Sequence, residues 1–260
     1  MPSWIADLVR LERDGETFRS TASFGTEGRL FGGLIAAQAL AAAGATVDPT
    51  RLPQSLHAYF IKGGRVGVDI EYVVENTRDG KSFNTRRITA SQDGVPIFEM
   101  LASFHRDEPT TDWQRTNDSG FALADATIVT GIPETWADHF EVRCGSTGLD
   151  EWPVQPMWFR SREPVENDPV LQACALTFIS DVGLVAVARP PGRASSPGPG
   201  GAASLDHAVW FHRPVDVARW HLYDAEAVSH HDARGLARGS LVDEDGTLVA
   251  SVAQESLWRI

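Results

Sequence analysis

The chain has 260 residues and a mass of 28.3 kDa, which is enough for one large domain or two of ordinary size. Hydrophobic residues make up 42% of it and charged residues 22%, a composition that predicts a globular protein with a buried core. Its 35 acidic and 23 basic residues leave a formal net charge of −12, and Lys and Arg form no cluster along the sequence. We therefore expect neither nucleic acid nor an anionic membrane as a partner.

The cysteine content and the apolar stretches bear on the compartment. Cys144 and Cys174 are the two cysteines, and their number and spacing indicate neither a disulfide framework nor a zinc site. The first ten residues lack the apolar run of a secretory signal. The apolar stretch Leu30–Val47 is followed by Asp48 and Pro49, which is typical of a buried helix rather than a membrane span. The sequence therefore predicts a protein of the reducing cytoplasm without a transmembrane segment.

In chain order, the first predicted elements are a helix and a hairpin. Residues Gly33–Ala43 place Leu and Ala at helical spacing, and Pro49 follows as a stop signal. Farther along, the strand-like stretches Ser82–Gln92 and Val95–Phe104 flank the dipeptide Asp93-Gly94. Such a dipeptide between two strands predicts a hairpin closed by a tight turn.

The second half of the chain shows the same order. After a polar stretch at 106–155, a second apolar helix is predicted over Pro169–Val185, and the Pro- and Gly-rich segment Ala188–Gly201 predicts an irregular surface loop. A second hairpin is predicted from Arg234–Val242 and Thr247–Trp258. Each half therefore reads as one apolar helix followed by antiparallel strands.

Two motifs also recur at nearly the same offset. The block His57–Ile61 resembles His207–Phe211, and Asp93–Ile97 resembles Asp245–Val249. A duplicated unit decides the architecture, so we predict an α+β fold of two similar repeats, each with a central helix wrapped by an antiparallel sheet. The predicted boundaries are 1–105 for the first repeat, 106–155 for a linker and 156–260 for the second repeat.

Common catalytic and binding motifs are missing from the sequence. Gly80-Lys81-Ser82 imitates the end of a phosphate-binding loop, but Glu75 stands where that loop requires glycine. The sequence contains no Gly-x-Ser-x-Gly elbow of a serine hydrolase. His230-His231-Asp232 lacks a third ligand at a useful spacing and is typical of a solvated turn. We therefore predict neither a metal site nor a cofactor.

Three polar residues stand where apolar ones would be expected. Asp181 lies near the end of the second apolar helix, Ser204 opens the strand that leads to Trp210 and Phe211, and Gln254 lies within an otherwise small and apolar strand. Each has a structural alternative, because Asp181 is also suited to cap a helix, Ser204 to start a strand and Gln254 to face solvent. Burying an unpaired carboxylate is costly, so Asp181 is the residue that most needs an explanation.

Four sequence blocks resemble the acyl-CoA thioesterase II family, in the family's order and over nearly the whole chain. They are Phe31–Leu40, Arg78–Arg87, Ser204–Pro214 and Leu248–Glu255. The resemblance implies a double hotdog fold, in which two helix-and-sheet repeats lie in one chain. Because such repeats pair through edge strands and leave an edge at each end, we also expect a homo-oligomer.

The same resemblance implies an activity and its residues. The family hydrolyses acyl-CoA to free fatty acid and CoA with a water held by an Asp, a Thr or Ser, and a Gln, and these positions match Asp181, Ser204 and Gln254. A thioester carbonyl is electrophilic enough to react with a positioned water and a carboxylate base, without a metal or a covalent serine. The chain departs from the family at Ser256, where glycine is common, and at Arg29-Leu30 before the first block.

Two other functions remain open at this point. A hotdog-fold enoyl-CoA hydratase or dehydratase would use a His and a carboxylate, and Asp206, His207 and His212 offer these groups. Adjacent residues on a strand point to opposite faces, however, so Asp206 and His207 are not expected to act together. A non-catalytic acyl-CoA binding protein is the second alternative. Release of free CoA thiol from a saturated acyl-CoA distinguishes the thioesterase from both.

Overall fold

The structure, a computed structural model, describes residues 2–26, 28–115, 120–129, 134–145, 156–190 and 201–259. The chain divides into two compact units, each assembled from separate stretches of sequence. The first comprises Met1–Thr111, Glu166–Asp181 and Asp206–Phe211, and the second comprises Asp112–Val165, Val182–Leu205 and His212–Ile260. Residues 191–200, which form most of the predicted loop Ala188–Gly201, lie outside the described residues.

The described helices are short, apart from the two that the sequence predicts. They are α1 (Trp4–Leu8), α2 (Gly32–Gly44), α3 (Glu134–Ala137), α4 (Pro169–Ser180) and α5 (Leu184–Val187), and a single 3-10 turn covers Leu123–Asp125. The first half of the chain contributes strands β1 (Glu12–Asp14), β2 (Thr17–Ser20), β3 (Gly25–Thr26), β4 (Arg29–Leu30), β5 (Arg51–Phe60), β6 (Ile70–Asp79), β7 (Phe83–Gln92) and β8 (Val95–Arg106). The second half contributes β9 (Thr127–Ile128), β10 (Phe140–Cys144), β11 (Met157–Ser161), β12 (Ala202–Ser204), β13 (Asp206–Phe211), β14 (His221–His231), β15 (Arg234–Asp243) and β16 (Leu248–Trp258).

The first unit contains an antiparallel sheet in the order β1-β2-β6-β7-β8-β5-β13. The two copies of the His-Ala motif meet there, because β5 and β13 pair with Ala58 opposite His207 and His57 opposite Ala208. The recurrence seen in the sequence therefore corresponds to two equivalent strands that are neighbours in this sheet.

Helix α2 is the central helix of the first unit. It is rich in Ala and Leu, which favour helix, and it is apolar on all sides, so that ten of its residues are buried. Phe31 stands at its N-cap without a side-chain hydrogen bond to the helix. The amide groups of its first turn therefore need acceptors from elsewhere in the chain.

Helix α4 packs against α2 within the same unit. Phe178 is fully buried, and its ring makes edge contacts with Trp4, Phe24 and Phe31 at centroid distances of 5.4, 5.1 and 5.1 Å. Asp168 caps the helix by accepting hydrogen bonds from the amides of Val170 and Leu171. A segment from the second half of the sequence thus completes the core around α2.

The second helix ends earlier than the sequence analysis predicts. The prediction of one helix over Pro169–Val185 is wrong, because α4 stops at Ser180 and α5 starts at Leu184. Gly183 between them has a φ of +88°, a left-handed conformation that ends helices and that glycine adopts without strain. The bounds of the first helix are confirmed to within one residue at each end, as Gly32–Gly44.

The second unit has its own antiparallel sheet, in the order β16-β15-β14-β11-β10-β9, with β12 also paired to β16. Strands β9 and β10 and helix α3 fall within the 106–155 stretch, where β10 alternates buried and half-buried residues over five positions. The boundaries 1–105, 106–155 and 156–260 stay a prediction. The ladders in the described residues are antiparallel, which confirms the predicted α+β class.

The two predicted hairpins form, with different turns. Asp93 and Gly94 both have positive φ, of 50° and 73°, as the predicted tight turn requires. In the second hairpin β15 ends at Asp243 and β16 starts at Leu248, so Asp245 and Gly246 lie within a longer connection. There the Asp243 carboxylate accepts hydrogen bonds from the amides of Asp245 and Thr247 at 3.0 and 2.8 Å and organises a longer loop.

One segment has the length and composition of a membrane-spanning helix. The stretch Pro169–Val187 has a mean hydropathy of 1.9, but 72% of that window is buried inside the protein. Apolar composition on all sides of a helix is equally typical of a core helix.

Candidate active site

Asp181 lies at the C-terminal cap of α4 and carries a buried carboxyl group. Its Oδ2 accepts a hydrogen bond of 2.9 Å from the backbone amide of Gly33, in the first turn of α2. Asp181 thus supplies the acceptor that α2 lacks at its own N-cap, across 148 positions of sequence. The structural alternative for Asp181 is realised, because it ends one helix and caps another, and its catalytic role stays a prediction.

Two glycines make this close approach possible. A Cβ atom on Gly32 would lie 2.7 Å from Oδ2 of Asp181 and 2.7 Å from Cε1 of Phe60. A Cβ atom on Gly33 would lie 2.4 Å from the carbonyl oxygen of Phe178. All three distances are shorter than atomic contact permits, so the Gly-Gly pair of the first family-like block has a steric reason.

The second oxygen of the Asp181 carboxyl group has a different environment. Oδ1 is buried, and no donor among the described residues lies within hydrogen-bonding distance of it. Burial raises the pKa of Asp181 from 3.8 to about 7, and the Gly33 amide opposes that rise to a smaller extent. Asp181 is therefore a carboxyl group that changes protonation state near neutral pH, with one oxygen anchored and one available.

Ser204 and Gln254 are brought together in the second unit. Ser204 ends β12, directly opposite Ser256 of β16, and Gln254 lies two residues earlier on the same buried face of β16. Nε2 of Gln254 donates to Oγ of Ser204 at 3.0 Å and makes a longer contact of 3.4 Å with Oγ of Ser256. Gln254 is fully buried, so the alternative that it faces solvent is wrong.

The three predicted catalytic residues therefore belong to two different compact units. Asp181 belongs to the first compact unit, and the hydrogen-bonded pair Ser204 and Gln254 belongs to the second. Their joint action on one water stays a prediction.

Sequence reasoning missed the groups that hold these side chains. In the sequence, Gly33 is marked only as part of a family-like block and Ser256 only as a departure from the family pattern. No sequence pattern marks Ser180, next to Asp181, whose Oγ lies 2.8 Å from Nε2 of His207. Two features of the sequence could have indicated these partners: the Gly-Gly pair before an apolar helix and a polar residue two positions after Gln254.

The residues of the hydratase alternative have different surroundings. His207 is buried, whereas its neighbour Asp206 is half-buried, as expected for adjacent residues on a strand. Nε2 of His212 contacts Oγ of Ser251 at 2.8 Å. His230, His231 and Asp232 lie at the turn between β14 and β15.

Comparison with known proteins adds a family to this geometry. A family model described as the acyl-CoA thioesterase N-terminal domain matches residues 20–105, and one described as the acyl-CoA thioesterase C-terminal domain matches residues 106–258. The chain belongs to the acyl-CoA thioesterase II family. As a member of that family it is a thioester hydrolase.

Relatives of this acyl-CoA thioesterase II family member match it over nearly their full lengths. Acyl-CoA thioesterase 2 of Haemophilus influenzae is 32% identical over 98% of this chain and 96% of its own length. Human acyl-coenzyme A thioesterase 8 is 29% identical over 98% of this chain and 89% of its own length.

Solved structures agree with the fold. The crystal structure of the acyl-CoA thioesterase II TesB2 from Mycobacterium marinum is 35% identical, covers 98% of this chain and 96% of its own, and has a TM-score of 0.83. A protein described as having a hotdog fold, from Alicyclobacillus acidocaldarius, is 21% identical with a TM-score of 0.79 over 100% of this chain and 99% of its own. The predicted double hotdog fold is confirmed.

Proposed function

We propose that this chain hydrolyses acyl-CoA thioesters to free fatty acid and CoA, with a water held by Asp181, Ser204 and Gln254 as the nucleophile. The observation that carries the proposal is the carboxyl group of Asp181, buried and anchored through Oδ2 to the amide of Gly33. The named relatives are acyl-CoA thioesterases, which supports the same substrate class.

Asp181 is the general base in this proposal. Oδ1, the oxygen without a protein donor in the described residues, is the atom that accepts the proton of the attacking water. The water oxygen forms a bond to the thioester carbonyl carbon, the carbon–sulfur bond then breaks, and CoA leaves as the thiol after taking up a proton. Because burial raises its pKa to about 7, the carboxylate is a stronger base than an exposed aspartate and is still substantially ionised at neutral pH.

Ser204 and Gln254 orient the same water. A hydroxyl and an amide each donate and accept hydrogen bonds, so together they match both the protons and the lone pairs of a water molecule. The bond from Nε2 of Gln254 to Oγ of Ser204 fixes the two side chains relative to each other. Such preorganisation lowers the entropic cost of the attack.

The alternatives make different use of the same residues. A hydratase needs His207 as a base, but its Nε2 atom is already hydrogen-bonded to Ser180. A binding protein would hold acyl-CoA without turning it over. We propose a place for the thioesterase in cytoplasmic fatty acid and lipid metabolism, and homo-oligomeric assembly stays a prediction.

The proposal is tested by measuring thiol release from saturated acyl-CoA of increasing chain length. Cys144 and Cys174 are buried, and burial raises the pKa of both thiols, so the protein adds little to a thiol-reagent signal. We expect turnover by the parent and a loss of about 10²–10⁴-fold in kcat for Asp181→Asn, whose amide cannot take the proton. An Asp181→Asn variant that folds, by circular dichroism, and keeps the parent rate would contradict the assignment.

A further inference from the structure

Asp181 is held from two directions within the first unit, and only one of them involves its own side chain. The carboxyl group is anchored by the Gly33 amide. The backbone is anchored one residue earlier, where Oγ of Ser180 lies 2.8 Å from Nε2 of His207. Ser180 and His207 are both buried, with exposed fractions of 0% and 1%, so water does not compete for this bond.

The direction of this hydrogen bond follows from counting protons. The hydroxyl of Ser180 has one proton, and its Oγ also lies 2.9 Å from the carbonyl oxygen of Thr177, which can only accept. Both bonds are satisfied together when Ser180 donates to Thr177 and accepts from His207. His207 is then a donor through Nε2–H, which is unsuitable for a catalytic base at that atom.

His207 connects the end of α4 to the sheet. It lies on β13, opposite Ala58 of β5, so its backbone belongs to the ladder of the first unit. Ser180 is the last residue of α4, and Asp181 is its cap. The bond between His207 and Ser180 therefore ties the last helical turn to the sheet immediately before the carboxyl group.

We propose that His207 and Ser180 are positioning residues that set the location of the Asp181 carboxyl group for the hydrolysis of the thioester. This inference rests on the proposed function of Asp181 as the base. Loss of the bond releases the last turn of α4 and moves the carboxyl group relative to the water. A misplacement of about 1 Å costs on the order of 10²-fold in rate, without a requirement that substrate binding change.

The test compares Ser180→Ala, His207→Leu and His207→Gln in the full chain, with thiol release as the measurement. We expect Ser180→Ala and His207→Leu to lower kcat by about 10- to 100-fold with KM within about two-fold of the parent. His207→Gln retains an N–H donor at a similar distance from the backbone and is expected to restore kcat to within about three-fold of the parent. Thr177→Val is the matched control, because it removes a buried hydroxyl of α4 that bonds the Ala173 carbonyl instead.

The outcomes separate positioning from a general effect on folding. A folded Ser180→Ala with kcat within two-fold of the parent overturns the inference, as does an equal loss in His207→Gln, His207→Leu and Thr177→Val. If Ser180→Ala does not fold, the contrast between His207→Gln and His207→Leu decides. A fully active Asp181→Asn overturns the proposed function itself, whereas an inactive Asp181→Asn beside a normal Ser180→Ala overturns this inference alone.

Discussion

At the scale of single residues, the Asp181 carboxyl group links activity and stability to pH in opposite directions. Its pKa in the folded chain is raised to about 7 from 3.8, because burial disfavours the charge. The folded state therefore keeps a proton that the unfolded state gives up between about pH 4 and pH 7, and the free energy of unfolding falls as pH rises through that window. At about 1.36 kcal/mol for each pH unit, the fall attributable to this group is roughly 4 kcal/mol.

The corresponding prediction is a rise in kcat with a midpoint near pH 7 and a fall in stability between about pH 4 and pH 7. Urea unfolding of the parent and of Asp181→Asn at pH 5 and pH 8 measures the fall in the free energy of unfolding. We expect the parent to lose more stability than the variant on going to pH 8, since the amide does not titrate. The same pH dependence in both proteins would show that Asp181 is not the titrating group.

A second prediction concerns the pair Ser204 and Gln254. Each contacts the other at 3.0 Å, and we propose that both bind one water. Ser204→Ala and Gln254→Ala are therefore each expected to lower kcat by less than Asp181→Asn, and the double variant to lose less than the sum of the two single losses in transition-state free energy. Additive losses in a double-mutant cycle of kcat would indicate that the two side chains act separately.

Sequence reasoning succeeds at this scale where a residue conflicts with its local pattern. The carboxyl group near the end of an apolar helix was recognisable as costly to bury and the amide in an apolar strand as out of place, and both are buried. The partners of these groups were not recognisable, because the bond from Gly33 to Asp181 joins residues 148 positions apart. No periodicity encodes a contact of that separation.

At the scale of elements, the N-terminus of α2 depends on the absence of a side chain. Gly32→Ala places a Cβ atom 2.7 Å from Oδ2 of Asp181, so we expect displacement of the carboxyl group and a loss of at least about ten-fold in kcat. The overpacking is also expected to cost about 1–3 kcal/mol of stability. Gly63→Ala is the control, since a Cβ atom there meets no described atom within 4 Å. Equal kcat values for the two variants would contradict this steric explanation.

Other elements show why the ends of helices and strands are harder to predict than their existence. Both long helices and both hairpins were recognisable from apolar spacing and from Asp-Gly pairs. The end of α4 was not recognisable, because the apolar pattern resumes at Val182 after Asp181 and the decisive residue is Gly183 in a left-handed conformation. Likewise the second hairpin turn depends on the Asp243 carboxylate, which lies outside the Asp-Gly pair.

At the scale of the whole molecule, neither compact unit is a continuous piece of chain. The first unit takes residues 166–181 and 206–211 from the second half of the sequence, and Phe178 from that half lies among the aromatic rings of its core. We predict that a fragment of residues 1–111 does not fold alone, because α2 then lacks α4 and the acceptor Asp181. Absence of a cooperative thermal transition by circular dichroism checks this.

The control experiment adds back the part of the chain that the 1–111 fragment lacks. Co-expression of residues 1–111 with residues 112–260 supplies the missing segments and is expected to recover a soluble complex with thioesterase activity. A monomeric 1–111 fragment with a sharp thermal transition would show that the inserted segments are dispensable.

Because of the same discontinuity, the ribosome completes the first unit only late in translation. The first unit is complete in sequence only when residue 211 has been made, which is 100 residues after residue 111. Helix α2 ends at Gly44 and its partner α4 ends at Ser180, 136 residues later, so at about 5–20 residues per second translation leaves the apolar surface of α2 without its partner helix for roughly 7–27 s. During that interval the nascent chain exposes a surface that chaperones recognise, so its yield in a cell is expected to depend on chaperone supply more strongly than that of a protein whose units are contiguous.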